Sequence, residues 1–93
     1  IQAVPALTKA LGDASIAVRR RVAWALGQIE DELGIGALEK ALKDRAPEVR
    51  RMAVWALGNI ESPKAVSVLR AVANDADWET RYTAAWALGE IED

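Results

Sequence analysis

Apolar residues fall at helical spacing in short runs, and the runs themselves recur. Val4, Leu7, Ala10 and Leu11 stand three or four positions apart or adjacent on one helical face. Ile35, Leu38, Ala41 and Leu42 repeat the pattern, and Val66, Leu69, Val72 and Ala73 repeat it again. A polar break follows, Gly12-Asp13-Ala14 or Asn74-Asp75-Ala76, and then a longer helical pattern begins. Helix starts are marked as well. Asp31 is the expected N-cap of one first helix, and Ser62 caps another with Pro63 at its first position. The longer helices are predicted to begin near Ser15 and Asp77, with Pro47 in the matching first turn.

Shifted by 31 residues, the chain falls into register three times, as 1–31, 32–62 and 63–93. Trp24-Ala25-Leu26-Gly27 coincides with Trp55-Ala56-Leu57-Gly58 and Trp86-Ala87-Leu88-Gly89. Leu7, Leu38 and Leu69 align, as do Asp13, Asp44 and Asp75, Arg19, Arg50 and Arg81, and the pairs Ile29-Glu30, Ile60-Glu61 and Ile91-Glu92. Nine identical columns without a gap exclude chance. Each unit reads as a helical hairpin, giving six helices. One hairpin cannot bury its own apolar face, whereas stacked copies can, and about three make a stable array. The sequence therefore predicts a single all-α solenoid domain over residues 1–93. Its outermost helices keep an uncovered apolar flank, so end-to-end self-association is expected.

At about 100° per residue the second helix has two sides. Val18, Val22, Ala25, Leu26 and Ile29, widened by Ala23, form an arc that should face the first helix and neighbouring repeats. Ala17, Arg20, Arg21, Trp24 and Gln28 fall opposite. The same side carries Glu48, Arg51, Met52, Trp55 and Asn59 in the second copy, and Glu79, Tyr82, Thr83, Trp86 and Glu90 in the third. An indole thus sits three times where a solvated helix should be polar, with Arg20, Arg51 and Tyr82 one turn before it. Trp, Tyr and Arg are the types enriched at binding hot spots. The candidate partner-binding set is Arg20, Trp24, Gln28, Arg51, Trp55, Asn59, Tyr82, Trp86 and Glu90. The competing reading is that curvature packs each Trp against the next second helix under Arg stems. Trp78 reads as an exposed edge or staple residue outside this stripe. Gly27, Gly58 and Gly89 imply either close backbone approach or a tightened last turn.

Composition narrows the chemistry. The chain has no Cys and no His, which removes disulfides, thiolate nucleophiles, the usual neutral-pH acid/base and the commonest metal ligand. No catalytic, cofactor or metal residue is assigned, and no enzyme activity is expected. With 52% hydrophobic and 28% charged residues and a net charge of -2, nothing draws the chain to nucleic acid or an anionic membrane. Arg20, Arg21 and Arg51 are balanced on the aromatic side by Glu48, Glu79 and Glu90. The cluster Arg19-Arg20-Arg21 is expected to be a solvated surface with one buried pairing residue. No apolar run is long enough for a membrane span. The chain opens on Ile1 without a signal-peptide pattern, so a fragment or trimmed segment is expected, and its localisation is left open.

Val49-Arg50, Ala56-Leu57-Gly58-x-Ile60, Ser62-Pro63-x-Ala65-Val66 and Leu69 together resemble HEAT-like repeats. The chain is similar to the short bacterial form first named for phycobilisome lyases, and to artificial repeat libraries. The resemblance covers all three copies. It implies a right-handed α-solenoid whose second helices line the concave face, the face diversified in those libraries. It also implies that Asp13, Asp44 and Asp75 bond with Arg19, Arg50 and Arg81 in a ladder between repeats. Related repeats include metal-dependent hydroxylases that use His-Glu pairs, a site this histidine-free chain cannot build. Two departures stand out. Glu30-Asp31, Glu61-Ser62 and Glu92-Asp93 replace the family's Gly-Asp, and Ala73 and Thr80 loosen the third copy. The functional expectation is a non-catalytic scaffold binding a protein or peptide. The alternatives are a designed or truncated array without a native partner and, less favoured, a nucleic-acid binder.

Overall fold

A computed structural model describes residues 3–92. The helices are α1 (Ala3–Ala10), α2 (Ile16–Ile29), α3 (Gly34–Ala41), α4 (Pro47–Ile60), α5 (Val66–Ala71) and α6 (Trp78–Glu92). Short 3-10 turns, Pro63–Ala65 and Val72–Asn74, flank α5. Ile16, Pro47 and Trp78 open the second helices at the 31-residue interval of the sequence repeat. The array is an all-α solenoid. The second helices α2, α4 and α6 form one layer in which each packs along the next, and the first helices form the other. No described helix is long and apolar enough to cross a membrane.

The caps explain where the second helices begin. Ser15 Oγ accepts from the Val18 backbone N–H at 3.3 Å, Asp77 Oδ2 accepts from Thr80 N–H at 3.0 Å, and Pro47 opens α4. These match the sequence reading. Asp31 does not cap α3 directly: its Oδ1 accepts from Leu33 N–H at 2.9 Å, and this local turn delays the helix to Gly34. Ser62 caps as expected, accepting from Lys64 N–H at 3.2 Å, but Pro63 opens a 3-10 turn instead of an α-helix. Ser62 Oγ also donates to Glu32 Oε2 at 2.6 Å, which ties the second repeat's start to its end and lowers the Glu32 pKa.

α2 and α4 end on Glu30 and Glu61, both left-handed, at φ 59° and 58°. This is the place where glycine normally closes a helix, because a Cβ costs about 1–2 kcal/mol there. The departure from Gly noted in the sequence is therefore a strained cap.

Leu26, Leu38, Leu57 and Leu69 are fully buried and run through the interior as one seam. The arc assigned to the core needs correction in the first repeat. Val18 and Ile29 remain 39% and 37% exposed, whereas Val49, in the Val18 column, is fully buried. Among the described residues no repeat stands ahead of α2 to cover Val18. Thr80, expected to loosen the third copy, is fully buried with its hydroxyl bonded to Asp77 Oδ2 at 2.8 Å. The polar atom is satisfied, so the Val-to-Thr exchange is accommodated.

Candidate functional site

Two sides of the second-helix layer have different chemistry. The side between helices forms the joint of the stack. At Gly27 an added Cβ would lie 2.7 Å from the Ala56 Cβ and 2.8 Å from its Cα. At Gly58 it would lie 2.8 Å from both the Ala87 Cβ and the Trp86 ring. Close backbone approach thus explains these two glycines, and no tightened turn is involved. Gly89 meets nothing within 4 Å.

The Asp–Arg ladder fixes the same joint. Arg19 donates to Asp44 from Nε at 2.8 Å and Nη2 at 3.1 Å, and Arg50 donates to Asp75 at 2.9 and 3.3 Å. Each arginine bridges to the next repeat's aspartate while its Nη1 holds a carbonyl of its own loop, Asp13 O at 2.9 Å and Asp44 O at 2.8 Å. Burial pushes the Asp44 carboxyl up, but bonds from Arg19 and the Ala46 N–H outweigh it and hold the group below its ordinary range. The Asp44 hydrogen bond also raises the Arg19 guanidinium. Of the arginine cluster, Arg19 is buried and Arg20 and Arg21 are exposed.

On the open side, a groove of about 590 Å³ crosses the second helices. Arg20 of α2 stands at one edge; Glu48, Arg51, Met52 and Trp55 of α4 form the middle; Trp78, Glu79, Tyr82 and Thr83 of α6 form the other edge. Tyr82 is 73% exposed and Trp78 63% exposed, very high for rings of this size. They are one helical turn apart, so both edges of α6 rings overhang the same space. Trp55 is half-buried against the core.

The groove's charges are partly braced. Arg51 Nη1 pairs with Asp77 Oδ2 at 3.0 Å and Glu79 Oε1 at 3.3 Å. Thr80 is the first cause of the low Asp77 pKa, through its side-chain hydrogen bond, and Arg51 adds to it. Arg20 and Glu48 form no salt bridge among the described residues. Among the described residues the groove therefore offers Arg20 and Glu48 outside any salt bridge, and three aromatic rings.

Of the residues selected from sequence, the groove gathers Arg20, Arg51, Trp55 and Tyr82. Trp24 lies in a neighbouring depression with Ala17, Arg20, Arg21 and Met52, and the Arg21 guanidinium stacks 4.4 Å from its ring. Trp86 is 40% exposed and leans across Gly58. Asn59 is turned into the joint, donating from Nδ2 to Gly27 O at 3.2 Å. Gln28 and Glu90 are exposed outside the groove. None of the three repeated indoles is sealed, yet the row is graded: Trp24 and Trp55 are half-buried and Trp86 is exposed.

Trp78 corrects the sequence reading. It is exposed as expected, but it belongs to the groove and not to a separate edge. Glu48, Met52, Glu79 and Thr83 also line it. The signal was present in the i, i+4 spacing of Trp78 and Tyr82, which an angular reading centred on the repeated Trp column passes over.

Comparison with known proteins gives the family. The HEAT-repeat profile matches residues 2–46 and 35–93, nearly the whole chain. No curated protein sequence is significantly similar. Among solved structures, human deoxyhypusine hydroxylase, in complex with glycerol, superimposes with a TM-score of 0.91 at 30% identity, covering 97% of this chain and 32% of that one. The CpcE–CpcF complex of phycocyanin lyase from Nostoc sp. matches at 0.87 and 27% identity, over 97% of this chain and 37% of its counterpart. A designed armadillo repeat protein in complex with the peptide (KR)4 matches at 0.77 and 28% identity, over 97% and 47%. The chain spans between a third and a half of these proteins. With the 31-residue period, the Arg–Asp ladder and the profile match in agreement, the chain belongs to the HEAT-repeat family.

Proposed function

We propose that this HEAT-repeat scaffold is non-catalytic and holds a protein or peptide segment in the groove across α2, α4 and α6. The observation that carries the reading is the pair Trp78 and Tyr82, 63% and 73% exposed above half-buried Trp55. Large aromatics are more often buried than exposed, and contiguous exposed apolar surface rimmed by polar groups marks interaction sites. Here the rim is Arg20, Glu48, Arg51 and Glu79.

A segment lying across α4 and α6 would place its side chains between the rings of Trp55, Trp78 and Tyr82. Truncating such an anchor at a good interface costs about 2 kcal/mol or more. Arg51, held by Asp77 and Glu79, needs little reordering to donate, which lowers the entropic cost of binding. Arg20 at the α2 edge and Glu48 on α4 set a polarity across the groove. Two structural neighbours are complexes with polypeptides, the designed armadillo protein with the peptide (KR)4 and CpcE with CpcF, and they support a polypeptide occupant. The hydroxylase neighbour is an enzyme, but this chain has no histidine or cysteine, and its ladder aspartates Asp44 and Asp75 are bound to arginines.

The test is selection of a displayed random-peptide library on the wild-type chain, followed by binding of the enriched peptides to a Trp78→Ala/Tyr82→Ala variant. Enriched peptides that lose at least tenfold in affinity for the variant support the groove. Failure to enrich any peptide, or equal affinity for both chains, overturns it.

A further inference from the structure

The first and last surfaces of the stack are the two unmatched halves of one joint. At the two internal joints, three features recur: an arginine clamped by its own loop and aimed at the next repeat's aspartate, a glycine receiving an alanine, and a buried Val or Thr two turns before that alanine. The terminal surfaces carry each half already formed. Arg81 Nη1 donates to Asp75 O at 2.7 Å and Ala76 O at 3.2 Å, the pose in which Arg19 is held by Asp13 O and Ala14 O. Arg81 has no carboxylate partner among the described residues. Asp13 Oδ1 accepts from Ser15 N–H at 2.9 Å, as Asp44 does from Ala46 and Asp75 from Asp77, at 2.9 and 2.8 Å. Its carboxylate is thus oriented as the ladder requires and forms no salt bridge with an arginine among the described residues.

The packing surfaces agree with the charges. Gly89 is exposed with nothing within 4 Å of its Cβ direction, whereas Gly27 and Gly58 each receive an alanine. On the opposite end, Ala25 and Val18 line a shallow, almost wholly apolar depression with Leu7 and Val22. Their counterparts Ala56 and Val49 are fully buried at the first internal joint.

We infer that the 93-residue chain covers each of these surfaces with a second copy of itself, docked head to tail in the register of the internal repeat. Arg81 would bridge to Asp13 of the second copy, and Gly89 would receive its Ala25. Because the two surfaces are different, the contact is head to tail, and in the register of the internal repeat it continues the solenoid, so copies add in a line. The inference is independent of what lies in the groove, which opens on another side of α4 and α6.

Sedimentation equilibrium of the 93-residue chain over a wide concentration range tests this. The weight-average mass is expected to rise with concentration and pass the dimer value without a plateau. Gly89→Leu, which fills open space in the single chain, is expected to weaken association at least tenfold while leaving its circular dichroism and melting temperature at or above wild type. Arg81→Asp should weaken it similarly, and adding Asp13→Arg to that variant should restore it. A wild-type chain that stays monomeric at every concentration overturns the inference. So does a mass that plateaus at the dimer, or association that Gly89→Leu and Arg81→Asp leave unchanged.

Discussion

The second and third repeats are written in the same pattern and have different physical fates. In the second, α3 is one uninterrupted helix whose Ile35, Ala37, Leu38 and Ala41 are buried. The matching stretch of the third is split into a 3-10 turn, the six-residue α5 and another 3-10 turn, with Ala65, Leu69 and Val72 buried. Arg50 is bonded to a carboxylate and Gly58 is filled by Ala87, while Arg81 holds only carbonyls and Gly89 is open. Identical columns are worth different amounts because energy in a solenoid resides largely in nearest-neighbour joints. A residue facing the next repeat stabilises only when that repeat is present.

Paired substitutions sharpen the contrast. The largest difference is expected at the seam. Leu57 is fully buried and Leu88 partly so, so Leu57→Ala should cost about 2–5 kcal/mol in urea unfolding, and Leu88→Ala less than half of that. The glycine column should reverse sign, measured at dilution where the chain is a monomer. Gly58→Ala drives a methyl into Ala87 and Trp86, and the overpacking cost of about 1–3 kcal/mol outweighs its gain in helix propensity. Gly89→Ala meets nothing and should stabilise by up to about 1 kcal/mol.

Next comes the strained cap. Glu61→Gly relieves a left-handed Cβ and should raise stability by about 0.5–1 kcal/mol after the added unfolded-state entropy is subtracted. Glu92 occupies the same column inside α6, so Glu92→Gly should bring no gain. The smallest effect near neutrality is acid sensitivity. Asp44 and Asp77 have folded pKa values below their ordinary ones. Their stabilisation is complete above the unfolded value of about 4 and is lost as pH falls through the lower folded values. The melting temperature should therefore hold down to about pH 4–5 and then decline, and Asp44→Asn should flatten that decline from an already lower starting point.

The solenoid was legible because a 31-residue period is visible in Trp24, Trp55 and Trp86 and in the leucine columns without any knowledge of contacts. Caps at Ser15, Pro47 and Asp77 were legible for the same local reason. What failed were features decided by neighbours. Val18 belongs to the core arc by angle, yet only a preceding repeat would bury it. The Asp–Arg ladder between repeats, by contrast, was legible from the family resemblance, and it runs from Arg19 to Asp44 and from Arg50 to Asp75. Asn59 shares a face with Trp55 but its amide reaches the backbone of α2. Trp78 enters the groove because α6 starts one turn before Tyr82, a fact about the helix boundary and not about the repeated column.

The central claim is that one side of the second helices holds the stack and the other is left for a partner. Urea unfolding of the Trp78→Ala/Tyr82→Ala double variant tests it most directly. Rings that only await a partner contribute little to the fold, so the loss should stay within about 0.5 kcal/mol per site. A loss of about 2 kcal/mol or more for the double variant would mean that the rings are part of the packing, and the groove assignment would not stand.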